Sequence, residues 1–187
     1  LNKVRNNQMT PEVLEQINSR YIPNFRPKAD EGYITLTSHN AAANKINQER
    51  LDALTTEIHE FKADITGIFP QHIYPNEETL QLKVGSQVVF IKNDLSQDKR
   101  YYNGKIGQIE EIKDKEILVK CPHETDLISV GTVEWQNLKF NLNEKSKEIS
   151  EEAIGTFTQY PLKLAWAITI HKSQGLTFEK AIIDAQS

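Results

Sequence analysis

The pattern of apolar and polar positions changes period along the chain. In "TPEVLEQINSR", Thr10 stands as a cap, Pro11 as a first helical residue and Glu12 as an acid suited to the positive end of a helix dipole, which predicts a short helix through about Arg20. The prolines and glycine of "YIPNFRPKADEG" break it. "YITLT", Tyr33 to Thr37, alternates like a short strand, and "SHN" offers capping side chains before the helical "AAANKINQERLDALTTEI". In that helix Ala43, Ile46 and Leu54 share a face with the stem of Arg50, so it should lie on a sheet containing 33–37. Strand, tight turn and helix make an α/β unit.

A β texture follows. "IHEFKADITGIF" alternates like one strand, and "IYPNEETLQL" reads as a connecting loop and turn. "LKVGSQVVFIKND", "YYNGKIGQIEEI" with its Asn103-Gly104 turn signal, "EILVKC" and "TVEWQNLKF" place short strands at intervals of roughly ten residues, the spacing of a small barrel of the SH3-like type. "NEKSKEISEEA" reads as a polar helix or loop, after which "QYPLKLAWAITIHKSQG" and "KAIIDA" return to an α/β texture. The β module thus reads as an insertion.

Composition narrows the setting. At 187 residues with 38% hydrophobic and 26% charged side chains, the chain can bury a core. No apolar run reaches the roughly 20 residues that cross a bilayer, and "LNKVRNNQMT" lacks the apolar middle of a signal peptide, so no membrane is expected. A lone cysteine, Cys121, excludes an internal disulfide and points to the cytoplasm. The start at Leu1 and the strand-like ending "AIIDAQS" mark the chain as an excised fragment. A net charge of −4 argues against a protein that coats nucleic acid by bulk attraction. Basic residues outnumber acidic ones only in 81–120, by 8 to 6, and in 155–187, by 3 to 2. A solvated face of mixed charge accounts for that asymmetry equally well.

The densest chemistry is in "AITIHKSQGLTF". An apolar lead-in runs into Thr169, His171, Lys172, Ser173, Gln174 and Gly175, which is where α/β sheets present ligands. Hydroxyls, an amide, an imidazole and backbone N–H groups freed beside a glycine donate to phosphate oxygens without bulk positive charge, and Lys172 adds a point charge. A helix cap followed by solvent-exposed polar residues is the competing reading. Lys92, Asn93, Tyr101, Tyr102 and Lys105 combine cations with rings near a hairpin, which suits stacking on a single strand, or packing of the barrel by the two tyrosines. Trp135 and Trp166 read as core. His59, His72 and the Cys121-x-His123 pair lack a second ligand pair, so no metal site is expected.

"PLKLAWAITIHKSQGLTF" closely resembles motif V of the Pif-type (petite integration frequency) and RecD-like branch of superfamily-one DNA helicases. "ITLTSHNAAANKIN" looks like the strand and helix of that family's motif IV region, and "LKVGSQVVFIKND" with "YYNGKIGQIEEI" is similar to the start of its inserted SH3-like domain. The resemblance implies a partial RecA-like motor domain with an inserted small SH3-like β-barrel. In that division 1–28 is the tail of a first motor domain, 29–80 the second motor domain, 81–154 the insertion and 155–187 the return. It also implies that Thr169, His171, Lys172 and Ser173 lie along single-stranded DNA, with Gln174 and Gly175 toward the ATP cleft. Ser38, His39 and Asn40 face the DNA backbone in this reading, or simply cap the helix. Thr177 stands where related helicases of the other branch carry a ribose-contacting Glu.

What is missing matters as much. None of the eight glycines opens a G-x-x-x-x-G-K-[ST] loop, and Asp30-Glu31 sits in a loop signal instead of at a strand end. ATP and magnesium are therefore expected for the intact protein and no cofactor for this fragment, which should be inactive alone, with single-stranded DNA as partner and a monomer as the working form. The alternative is a non-catalytic module, derived from such a helicase, that binds nucleic acid or protein.

Overall fold

The structure, a computed structural model, describes residues 2–23, 25–27, 31–142, 149–176 and 178–184. The chain divides into two units, residues 1–31 and 32–187. In the first, helices α1 (Asn2–Arg5) and α2 (Pro11–Asn18) follow one another. Thr10 caps α2 as its sequence predicts: its backbone is extended and its hydroxyl accepts from Val13 N at 3.4 Å, with Pro11 behind it. The helix stops two residues before Arg20.

In the second unit, β1 (Ile34–Thr37) is the centre of a three-stranded parallel sheet, flanked by β12 (Ala167–Thr169) and β13 (Ala181–Asp184). Leu36 stands opposite Ile168 on one side and Ile183 on the other. Parallel neighbours need long crossovers, and α3 (Asn40–Asp52) opens the first of them, packing on β12 and β1. Ala43 and Leu51 form its buried face. The helix ends at Asp52, short of the expected Ile58, because Thr56 turns away to donate to Val84 O at 2.7 Å and Leu54 lies over Gly85. The expected capping by "SHN" is absent at this end: His39 is the N-cap residue and makes no side-chain cap bond, while the Ser38 hydroxyl lies 2.7 Å from His39 Nδ1.

Everything between is antiparallel. The expected strand over 58–69 is two, β2 (Ile58–Lys62) and β3 (Asp64–Gly67), because the chain changes partner at Ala63. β2 pairs with β4 (Thr79–Lys83), so the end of the expected loop "IYPNEETLQL" is strand. β3 pairs with β10 (Ile149–Gln159), which also pairs with β9 (Val133–Leu142). Residues 143–148 of the expected polar helix or loop lie outside the described residues, but from Ile149 onward it is strand: the facing β9 backbone overrides a locally polar sequence. A five-stranded sheet runs in the order β11 (Leu162–Leu164), β5 (Gln87–Phe90), β6 (Ile106–Ile112), β7 (Ile117–Lys120), β8 (Leu127–Val130).

The expected barrel is not closed: among the described residues no sheet joins its own edges. The five-stranded sheet instead shares a core with the β2–β4 ribbon, which lies outside its hydrogen-bonded ladder, with Leu80 and Leu82 packed among Val88, Phe90, Ile109 and Leu162. Burial of each such side chain stabilises the fold by about 1.5–3 kcal/mol. A second cluster, Ile34, Val89 and Ala165 with Phe178 against them, ties this sheet to the parallel one. The architecture is a mixed α/β fold whose β and α/β parts share side chains.

Candidate nucleic-acid interface

The donor-rich bend is built by a change of sheet. The apolar lead-in "LKLAWAI", expected as one buried element, is divided between two short strands: β11 lies antiparallel on β5, and two residues later β12 lies parallel on β1. Buried Gln87 fixes the crossing, donating to Ala165 O at 2.7 Å and to Tyr33 O at 2.9 Å. From there Thr169 enters a single helical turn, α4 (Ile170–Ser173), as its N-cap, accepting from Lys172 N at 3.4 Å.

The bend divides its side chains between structure and solvent. Thr169 is 4% exposed and its hydroxyl is spent on the cap. Ser173 donates to Ile170 O at 2.7 Å. His171, Lys172 and Gln174 are exposed, and Gly175 takes φ +80° with open space about it, the turn that ends α4. Thr177 lies outside the described residues. Three exposed donors of different kinds on one short turn can meet an extended polyanion, with the threonine and serine holding the turn in shape.

Ser38, His39 and Asn40 sit at the end of β1, the central strand beside β12, with His39 and Asn40 exposed. The parallel sheet therefore brings both strand ends to one edge, as the α/β pattern leads one to expect.

The second set lies elsewhere and is largely engaged within the chain. Lys105 Nζ donates to Arg100 O and pairs with Glu124 at 2.5 Å. Lys92 Nζ donates to Glu134 O and stands 4.9 Å over the Trp135 ring. Asn93 Oδ1 accepts from Asn103 N at 2.8 Å. Tyr101 stacks on buried Phe90 at 4.3 Å, a packing role, whereas Tyr102 is 53% exposed. Trp135 and Trp166 are half-buried, not core as expected. Among the described residues no group of three or more His, Cys, Asp or Glu is placed to hold a metal.

Beside the bend runs a cleft of about 460 Å³ that the sequence reading missed. Asn40, Asn44, Asn47 and Gln48 of α3 line it, with Lys163, Thr169, Lys172 and the carboxylate of Glu77. Ala43, Leu51, Val89 and Ile168 contribute apolar lining. Burial, reinforced by the charge of Lys172 and opposed by Glu77, pulls the Lys163 ammonium below the usual lysine range. The available signal was the spacing of amides at 40, 44 and 47, one side of a helix, which a search for apolar faces passes over.

No family model matches the chain. Over 176 residues it is 31% identical to the ATP-dependent DNA helicase Pif1 of Campylobacter jejuni, covering 83% of this chain and 37% of that protein. Pif1 of Bacteroides sp. in complex with ADP-AlF4 matches at 37% identity and a TM-score of 0.87, over 97% of this chain and 41% of that one. Bacteroides Pif1 bound to ssDNA matches over the same shares at a TM-score of 0.71. The chain thus spans well under half the length of the proteins it matches.

Proposed function

The chain belongs to the Pif1 family of DNA helicases, and on that premise we propose that it is the DNA-gripping part of an ATP-dependent helicase that translocates on single-stranded DNA and unwinds duplex. The observation that carries this reading is the turn of His171, Lys172 and Ser173 at a parallel-sheet edge, with His171 and Lys172 exposed and the turn capped by Thr169. Donors of this kind bind sugar and phosphate without reading sequence, which suits a motor that must pass every base.

In this proposal the parallel sheet and α3 are part of the second RecA-like motor domain, 29–80 and 155–187, and 81–154 is its inserted SH3-like element. Residues 1–28 are the tail of the first. His171, Lys172 and Ser173 follow the strand, joined by Ser38, His39 and Asn40 at the neighbouring strand end, while Gln174 and Gly175 face the nucleotide. Of the insertion's paired tyrosines, Tyr102 is the one whose exposure suits stacking on a base. The phosphate loop, the magnesium-binding acids and the arginine finger belong to other parts of the whole protein. Its ATP and Mg²⁺ chemistry would be that of any such motor: charge neutralisation on the transferred phosphoryl group.

The lower similarity to the ssDNA-bound form, 0.71 against 0.87, supports a rearrangement of this region when a strand enters. To test the grip, bind a labelled single strand to the whole protein and to a His171→Ala, Ser173→Ala double variant across a salt series. Tenfold or weaker binding by the variant is expected; equal affinity at every salt concentration removes these residues from the interface.

A further inference from the structure

The cleft beside the bend has a composition that phosphate-backbone contact alone does not require. Its apolar lining and the uncommitted amides of Asn40 and Asn44 match a flat heteroaromatic ring, since a side-chain amide carries both donors and an acceptor and can meet either kind of base edge, whereas Asn47 is engaged with Ala167 and Gln48 with Asp52. Its two lysines outnumber the one carboxylate in its lining, Glu77, and match an anion. At about 460 Å³ it falls within the range of small-ligand sites and has room for one nucleotide. Among the described residues, the side chains of Asn40, Asn44, Lys163 and Lys172 make no hydrogen bond to the protein.

Asn76 adds an independent observation. It lines the same cleft, is 4% exposed, and donates through Nδ2 to Tyr160 O at 2.9 Å and Leu162 O at 3.0 Å. Those two carbonyls can only accept, so they fix the amide's orientation and leave Oδ1 facing away from them. Oδ1 is buried without a partner. An acceptor left in that state costs about 1–3 kcal/mol unless a donor reaches it. Its surface is closed to a water-sized group, so a ring N–H or amino group in the cleft reaches it only after a small movement of the Asn76 side chain.

We propose that this cleft seats one nucleotide, with its base on the apolar lining beside the Asn40 and Asn44 amides and Asn76, and its phosphate toward Lys163 and Lys172. Thr169 and Lys172 border both cleft and bend, so a strand lying on the bend could turn one base inward here. The proposal rests on the reading that the bend holds a strand. A nucleotide of that strand and a free mononucleotide share the chemistry, and the test separates them.

The test measures binding by the whole protein to three labelled probes: an oligo-dT strand, a strand of equal length made of abasic units, and dTMP. Asn44→Leu and Lys163→Gln alter the cleft, and His171→Ala, Ser173→Ala alters the bend. For a strand nucleotide, Asn44→Leu weakens oligo-dT binding about five- to a hundredfold, the range of one base contact, and leaves the abasic strand unchanged. Lys163→Gln weakens both strands. For a free nucleotide, dTMP binds saturably and Asn44→Leu removes that binding. Unchanged binding of oligo-dT and dTMP by both cleft variants overturns the seat, even where the bend variant loses the strand. If the wild-type protein binds oligo-dT no better than the bend variant does, the reading of the bend fails instead. Asn44 is exposed, so its substitution tests the cleft without opening the core.

Discussion

Asn47 and Ala167, 120 positions apart, exchange two hydrogen bonds: Ala167 N donates to Asn47 Oδ1 and Asn47 Nδ2 donates to Ala167 O, both at 2.8 Å. The side-chain amide thereby acts as a strand neighbour for β12, whose other edge is paired to β1. This one residue fixes α3 to the strand that ends in the bend.

Replacing it should show both effects. Asn47→Leu leaves the Ala167 N–H and C=O unpaired in a partly buried site, and we expect a loss of about 1–3 kcal/mol in urea unfolding. Asn47→Asp keeps an acceptor for Ala167 N but sets a carboxylate against Ala167 O, and it should destabilise as well. Wild-type stability in both variants would show that the exchange contributes nothing.

Gly104 is a second junction. It takes φ +100°, its N donates to Phe90 O at 2.8 Å, and a Cβ there would stand 3.1 Å from Leu176 Cβ. Gly104→Ala should therefore cost about 1–3 kcal/mol from backbone strain and crowding together. Adding Leu176→Ala, which keeps Cβ and removes the Cδ2 that would also stand 3.1 Å away, should return only part of the crowding term, a coupling that a double-mutant cycle of unfolding free energies measures.

Cys121 is buried among the core side chains, and that desolvation raises its thiol from 9.0 to about 11, with Lys105 drawing it back slightly. At neutral pH it should react with a thiol reagent only after unfolding. The folded form holds its proton longer than the unfolded form. This contribution is thus complete below about pH 9 and is lost as pH rises toward about 11. Cys121→Ala should flatten that alkaline limb of the stability profile; an unchanged limb would assign it to other groups.

Thr169 separates two roles that its position combines. Thr169→Val keeps the shape and removes the cap oxygen, which should cost about 1 kcal/mol in thermal unfolding, while Thr169→Ser keeps both cap and stability. A loss in Thr169→Ser with none in Thr169→Val would mean that packing of the methyl group, not the cap, is what Thr169 supplies.

The first unit's α2 and the parallel sheet were legible because their signals are local: Thr10-Pro11 caps a helix, "YITLT" alternates, and "TIHKSQG" concentrates donors beside a glycine. What could not be read depends on partners distant in sequence. Ile149 to Ala153 look polar and helical until β9 supplies a ladder for them, and one strand over 58–69 becomes two because β4 and β10 compete for it. Lys105 looks like a free cation in sequence and is paired to Glu124 in space. The cleft escaped notice for the same reason, since Asn44, Asn76 and Lys163 belong to three separate segments.

The most direct measurement is ATP hydrolysis by the whole protein with and without single-stranded DNA, wild type against His171→Ala, Ser173→Ala. We expect the variant to keep its DNA-independent rate and to lose tenfold or more of the stimulation at a fixed, subsaturating strand concentration. Full stimulation of the variant at that concentration would contradict the assignment of the bend to the DNA track.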